Sequence, residues 1–167
     1  MPIRTTTLEL DGDQLRFAGR TGSGHLVILD SAAGDAGPRP SELIPLAIAG
    51  CTAMDVISIL RKKRQDIRRY VVDAVGVQDD DHPNAFSRLD VRHRVEGPAI
   101  DPVAVRRAIE LSATNYCAVG ATLASGRVEI RHRFVVGDTA TGAETTDDAI
   151  VIGPWRPQPV PEPVPAG

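Results

Sequence analysis

The sequence predicts an α+β fold of about six strands in antiparallel sheets, packed on one long central helix and a second helical segment. Short segments punctuated by glycine clusters precede residue 31, and an apolar segment too long for a strand covers residues 41–64. Further segments, in which apolar and polar residues alternate, lie on either side of residue 100. The strands cluster instead of alternating with helices, which argues against a doubly wound parallel sheet.

The composition limits the classes of function. The 167 residues include 19 Lys and Arg against 22 Asp and Glu, and 42% are hydrophobic, as in one soluble domain with a core. A net charge of −3 argues against a nucleic-acid partner, whose affinity would depend on phosphate neutralisation. No apolar run approaches the roughly 18 to 20 residues of a membrane span, and the amino terminus lacks a secretory pattern. We therefore expect a cytoplasmic protein without a membrane partner.

Three short strands are predicted first, over residues 3–10, 14–18 and 25–30, joined as a meander by DGD and GRTGSG turns. The glycines of the second turn resemble a phosphate loop only superficially, because no helix follows them. Residues 31–40 form a loop by composition.

A long helix is predicted over residues 41–64. Its first half is apolar all round, so we expect that half to be buried against a sheet, a partner subunit, or both. The basic run RKKR at its end is interpreted as a solvated helix end, favoured by the helix dipole, and not as a nucleic-acid patch.

Strands and helices follow in the second half of the chain. Strands are predicted over residues 69–78, 86–96 and 127–136, the last two with the alternation of half-buried antiparallel strands. Asp101 and Pro102 provide an N-cap and a first residue for another helix, and a short third helix follows Cys117.

The composition changes at Gly137, where the chain becomes acidic and then proline-rich. We therefore predict one domain over residues 1–136 and an extended or disordered tail over residues 137–167. The alternative is that residues 149–155 add an edge strand or dock Trp155, the only tryptophan, onto the protein body.

Cys51 is the sharpest candidate for chemistry, since the motifs of serine hydrolases, zincins, P-loops and dinucleotide-binding proteins are absent. Asp55 lies one helical turn after it on the same apolar face. A buried carboxylate needs a partner, and an arginine would satisfy it and also stabilise a thiolate. Arg20 and Arg39 are the nearest arginines by sequence. The alternative is that Cys51 is an inert core thiol.

Cys117 stands at the start of the third helix, where the helix dipole would lower its pKa; the alternative is a core thiol under Tyr116. The two cysteines have no CxxC spacing, so a zinc knuckle is excluded, but a second thiol is what resolves a sulfenic acid. His93 and His132 lie on apolar strand faces that adjacent antiparallel strands could bring together. Because acidic ligands are missing from those faces, sheet histidines are favoured over a metal site.

Two long motifs carry a family resemblance. They are PSELIPLAIAGCTAMDVISILRKKRQDI at residues 40–67 and LSATNYCAVGATL at residues 111–123. Together with a GHxxxxD strand end they resemble the OsmC/Ohr family of osmotically inducible and organic hydroperoxide resistance proteins, and its YhfA-like branch in particular. The resemblance covers residues 8–136.

This resemblance implies an OsmC-like fold made as an intertwined homodimer, with two active sites at the interface. It also implies that Cys51 is the peroxidatic thiol, attacking an organic hydroperoxide, and that Cys117 resolves the resulting sulfenic acid as a disulfide. An external dithiol reductant, such as a lipoyl or thioredoxin-like protein, would complete the cycle without a bound cofactor or metal.

One departure from the family pattern affects the expected activity. Peroxidatic members carry a glutamate two residues before the leucine that matches Leu43, where this sequence has Ser41 and places Glu42 one position later. One helical position rotates a side chain by about 100°, which bears on whether Glu42 pairs with an activating arginine. Two alternatives to a peroxidase are a binding module that uses the interface pocket and a redox sensor.

Overall fold

The computed structural model describes residues 3–153, which contain seven strands and three α-helices. The chain divides into two units, residues 1–47 and 48–167, and the described part of each contains one sheet. The α+β class predicted from the sequence is confirmed.

The first unit contains a three-stranded antiparallel meander. Strand β1 (Thr6–Leu10) pairs with β2 (Phe17–Thr21), which pairs with β3 (Leu26–Leu29). The second strand begins later than predicted, so that Arg20 lies in β2 opposite Leu26 instead of in the turn. Gly24 adopts a φ of 87° in the turn itself, a conformation that favours glycine.

Helix α1 (Leu43–Lys62) follows a 3₁₀ turn at Pro40–Glu42. Its buried residues recur every fourth position and therefore form one stripe; they are Ile48, Thr52, Val56 and Leu60. By length and composition, Pro40–Lys62 would suffice to cross a bilayer, so the expectation that no segment is long enough is wrong. The buried stripe shows instead the packing of a core helix, because Val56 and Leu60 belong to the hydrophobic core.

The second unit contains a four-stranded sheet in the order β4 (Arg69–Gln78), β5 (Phe86–Gly97), β6 (Glu129–Asp138) and β7 (Glu144–Ile152). β4 and β5 are antiparallel, as are β6 and β7, but β5 and β6 are parallel. The prediction of antiparallel pairing is wrong at this pair. The chain between them returns through α2 (Pro102–Leu111), a π-helical turn (Ser112–Tyr116) and α3 (Ala118–Ala124), which is the kind of crossover that parallel neighbours need.

The sheet extends beyond the predicted end of the domain. Residue 136 lies inside β6, and β7 pairs along β6 from Ile152 opposite Ile130 to Glu144 opposite Gly137. The tail predicted from residue 137 therefore begins too early, because backbone pairing to β6 orders this acidic segment. Residues 149–152 form the edge strand of the alternative interpretation. Trp155 and the proline-rich segment lie outside the described residues.

The core of the second unit lies between the helices and the sheet. Asp101 caps α2 by accepting a hydrogen bond of 2.9 Å from the backbone N–H of Val103, as the sequence predicts. The buried apolar residues come from α1, α2, β5 and β6 and the loop before α2; they include Val56, Leu60, Val95, Ile100, Val105, Ile109 and Phe134. This packing positions α1 beside the start of α3.

Candidate functional site

Two thiols and a carboxylate converge where α1 meets the start of α3. Sγ of Cys51, a carboxylate oxygen of Asp55 and Sγ of Cys117 all lie within 4.8 Å of one another. Cys51 and Asp55 share a face of α1 because they are one turn apart, and Cys117 is the N-cap residue of α3. Both cysteines are free thiols. The fold therefore places two thiols from distant parts of the chain beside one acidic group.

Asp55 is held by a hydroxyl group. Oγ of Ser112, which is fully buried, donates a hydrogen bond of 2.9 Å to Oδ2 of Asp55 and lies 3.1 Å from Oγ1 of Thr52. An arginine partner was expected, but within residues 48–153 no cationic side chain forms an ion pair with Asp55. Ser112 takes that place because the π-helical turn brings it against α1.

The two thiols differ in their surroundings. Cys117 is 3% exposed and accepts a hydrogen bond of 3.3 Å from the backbone N–H of Gly120, whereas Cys51 is only partly buried. Burial, followed by the interaction with the Cys51 side chain, raises the pKa of Cys117 to about 12. The expectation of a lowered pKa at this helix start is wrong, because desolvation outweighs the single N–H donor. Cys51 is thus the more accessible thiol, and Cys117 is held protonated.

Arg20, Arg39 and Glu42 lie in the first unit. Nη1 of Arg39 forms an ion pair of 2.9 Å with Glu42, whose second carboxylate oxygen accepts a bond of 2.8 Å from the Arg39 backbone N–H. Glu42 therefore pairs with an arginine despite its shift by one position. Nη1 of Arg20 lies 3.3 Å from the carbonyl oxygen of Gly24.

Three rings joined by hydrogen bonds lie in the sheet of the second unit, with both histidines buried and Tyr70 partly buried. The hydroxyl of Tyr70 is 2.8 Å from Nδ1 of His93, and Nε2 of His93 is 3.3 Å from Nδ1 of His132. Burial, with a smaller contribution from His132, lowers the pKa of His93 to about 3, and burial lowers that of His132 to about 4. The histidines do meet, as expected, although on parallel strands. Three of the ring nitrogens of the two histidines take part in these hydrogen bonds, which favours core histidines over a metal site.

A surface groove of about 480 Å³ reaches Asp55. Apolar, basic and hydroxyl-bearing side chains line it together with Asp55; they are Ser58, Ile59, Lys62, Lys63, Leu111 and Tyr116. Burial and the charge of Asp55 raise the pKa of Tyr70 above its ordinary value. The carboxylate of Asp55 therefore lines the groove and also raises the pKa of Tyr70.

Ser112 and Tyr70 are site residues that the sequence does not reveal by motif. Ser112 ends the apolar stripe of α2 that contains Val105, Ala108 and Ile109, and a polar residue at a core position signals a buried hydrogen bond. Tyr70 gives no comparable signal, because tyrosine is common in half-buried strands.

Comparison with known proteins gives consistent matches. The family model described as OsmC-like protein matches residues 33–133. The protein YhfA of Escherichia coli K12 is 37% identical over 122 residues, which are 73% of this chain and 90% of that protein.

Two solved structures show the same fold. An OsmC-like protein from Mycoplasma pneumoniae is similar with a TM-score of 0.69 at 12% identity, covering 81% of this chain and 97% of that one. An organic hydroperoxide resistance protein OsmC from Legionella pneumophila is similar with a TM-score of 0.58 at 10% identity, covering 81% and 97%.

Proposed function

Because this chain belongs to the OsmC-like protein family, we propose that it is a thiol-dependent peroxidase that reduces organic hydroperoxides as an antioxidant in the response to oxidative stress. The observation that carries the proposal is the approach of the Cys51 and Cys117 thiols to within 4.8 Å. A disulfide requires sulfur atoms about 2.05 Å apart, so the two sulfur atoms must come closer by less than about 3 Å for the bond to form. The Legionella protein's designation as a hydroperoxide resistance protein supports this substrate class.

The two thiols have different roles in the proposed reaction. The Cys51 thiolate attacks the terminal peroxide oxygen and the O–O bond breaks, giving a Cys51 sulfenic acid and an alcohol that takes one proton. The sulfur of Cys117 then attacks the sulfenic acid, forming a disulfide and releasing water. An external dithiol returns two electrons and two protons, which restores both thiols.

Exposure supports this assignment of roles. Cys51 is the more accessible thiol, which suits attack on a substrate from solution. Cys117 is buried and protonated, which suits a thiol that reacts only with a neighbouring sulfur. Asp55, held by Ser112, is the group placed to take the proton of either thiol.

The activating cation and the assembly are further parts of the proposal. We assign activation of Cys51 to Arg39, paired with Glu42, or to Arg20. The exposed apolar side chains of α1, among them Met54 at 73% exposure, favour a homodimer that covers this helix. A lipoyl or thioredoxin-like protein would serve as the reductant, and two reduced thiols fit a cytoplasmic location.

Thiol counting with intact mass tests the proposal. The reduced protein, kept in a metal chelator, receives one equivalent of cumene hydroperoxide beside Cys117→Ala and Cys51→Ser. We expect the parent protein to lose both thiols to an intramolecular disulfide and Cys117→Ala to accumulate a Cys51 sulfenic acid that dimedone traps. Cys51→Ser should consume no hydroperoxide through its remaining thiol. Survival of both thiols in the parent protein would overturn the proposal.

An apolar cavity in the first unit favours a second candidate, a module that binds a small apolar ligand. The cavity measures about 450 Å³ and is lined mainly by Leu8, Leu15, Phe17 and Leu29. Under this candidate both thiols survive hydroperoxide, and an environment-sensitive apolar dye binds one site that Phe17→Ser abolishes. Loss of the thiols without dye binding would exclude it.

A further inference from the structure

The cluster of Cys51, Asp55 and Cys117 has a composition that a pair of redox thiols does not require. Two sulfur atoms and a carboxylate oxygen from two separate elements point at one volume, with all three atoms within 4.8 Å of one another. Thiolate and carboxylate are ligands that thiophilic divalent cations such as Zn²⁺ accept together. We propose that these three residues bind one such cation.

The spacing of the donor atoms fits an ion with tetrahedral coordination. Zn–S bonds of about 2.3 Å place two thiolate ligands roughly 3.8 Å apart, and a carboxylate oxygen stands closer to each sulfur. Because the donors already lie within 4.8 Å, movements of about 1 Å complete the arrangement. Cys51 and Asp55 supply two ligands one turn apart on α1, which is a spacing that helical metal sites use.

Two of the three ligand residues accept hydrogen bonds from neighbouring groups, as ligands in metal sites do. The backbone N–H of Gly120 donates to Sγ of Cys117, and the hydroxyl of Ser112 donates to Asp55. Such bonds orient ligands and stabilise their negative charge. A cation that displaces the thiol protons would balance the charge of two thiolates and a carboxylate, and within residues 48–153 no side chain forms an ion pair with Asp55.

An ion can reach the cluster from solution. Asp55 lines the groove of about 480 Å³, and Cys51 is only partly buried. Three protein ligands leave one tetrahedral position for water, so the site resembles open three-ligand sites more than closed four-ligand ones. The bound ion would hold both sulfur atoms and block their oxidation, while formation of the disulfide would remove two ligands and release the ion.

Titration of the reduced, metal-free protein with Zn²⁺ against a chromogenic chelator tests the site without any oxidant. We expect one Zn²⁺ per chain, no competition from Mg²⁺, and thiolate-to-metal absorption bands when Co²⁺ is used. Cys51→Ser and Cys117→Ser should each abolish the Co²⁺ bands of two-thiolate coordination. Asp55→Asn should weaken Zn²⁺ binding at least about tenfold, and Ser112→Ala about 10- to 100-fold.

Asp73→Asn is the matched control, because this exposed carboxylate on β4 lies outside the cluster. It should bind Zn²⁺ as the parent protein does. Zn²⁺ should also protect both thiols of the parent protein from an aromatic disulfide reagent, a readout that needs no variant. Absence of stoichiometric binding, or binding unchanged by Asp55→Asn, would overturn the metal site and leave the peroxidase proposal untouched, since the hydroperoxide assay contains chelator.

Discussion

The hydroxyl of Ser112 donates a 2.9 Å hydrogen bond to the carboxylate of Asp55, joining the π-helical turn to α1. The two partners differ in exposure, since Ser112 is fully buried and Asp55 is partly buried at the edge of the groove. Hydrogen bonds to a charged group contribute more to stability than neutral ones, and they fix the direction of the acceptor. This bond therefore sets where the carboxylate stands relative to both thiols.

Ser112→Ala should destabilise the fold by about 1–3 kcal/mol, because it leaves the carboxylate of Asp55 without its donor. Chemical denaturation measures the change as a lower midpoint at unaltered slope. Ser58→Ala, at an exposed position of the same helix as Asp55, is the control and should leave the midpoint in place. Equal midpoints for the two variants would show that Asp55 draws no support from Ser112.

Stability should fall as the pH falls below about 6.5, because burial keeps both His93 and His132 neutral in the folded protein. Their pKa values are lowered to about 3 and about 4, so between these values and 6.5 the unfolded chain binds more protons than the folded one. Each histidine then contributes a slope that approaches about 1.4 kcal/mol per pH unit.

Unfolding free energies measured from pH ~7 to pH ~5 report that slope. His132→Asn should reduce it, and His25→Gln, which changes an exposed residue of the first unit, should preserve it. A slope that is the same in His132→Asn and in the parent protein would contradict the assignment of neutral buried histidines.

One of the two tyrosines should resist ionisation until the protein unfolds. Burial, reinforced by the charge of Asp55, raises the pKa of Tyr70 above its ordinary value. Alkaline titration followed by tyrosinate absorbance should show a late step that coincides with loss of structure and is missing from Tyr70→Phe. Tyr116→Phe, at an exposed position, should retain that step.

The two thiols should react with an aromatic disulfide reagent in a fixed order. The pKa of Cys117 is raised to about 12 and its side chain is 3% exposed, so its thiolate is scarce and shielded. At pH ~8 in chelator, the remaining thiol of Cys51→Ser should react at least about 100-fold more slowly than that of Cys117→Ser. Comparable rates in the two variants would rule out a buried, protonated Cys117.

The elements that the sequence predicts well are those whose signals are local. Asp101 and Pro102 determine where α2 begins, and the alternation around Val91 and His93 follows from the period of a strand. The parallel direction of β6 has no such signal, because side-chain alternation is the same in either orientation. The connection decides it, and the length of α2 and α3 together allows the chain to return. The acidic first part of β7 is missed because its side chains face water, and it is ordered by pairing with β6 and by the ion pair between Arg106 of α2 and Asp147.

For the candidate site, too, the sequence predicts the local features and misses those that depend on packing. The spacing of Cys51 and Asp55 on one helix face follows from the sequence, since it depends only on helical periodicity. Their approach to Cys117 and Ser112 depends on how the crossover packs on α1, which no local pattern reports. The direction of the Cys117 pKa is missed for a related reason, because desolvation depends on every neighbour and not on the helix start alone.

The parallel pairing of β5 with β6 also means that the groups it brings together come from distant positions in the chain. His93 and His132 meet across 39 positions of chain, and Ser112 reaches Asp55 across 57. Contacts between such distant residues form late and slow folding, because a long loop must close before they contribute. Synthesis runs from the amino terminus, so Cys51 leaves the ribosome well before Ser112 and Cys117 have been made. Each nascent chain therefore carries, for a time, a Cys51 thiol that has Asp55 beside it on the helix but lacks the second thiol that would resolve its oxidation.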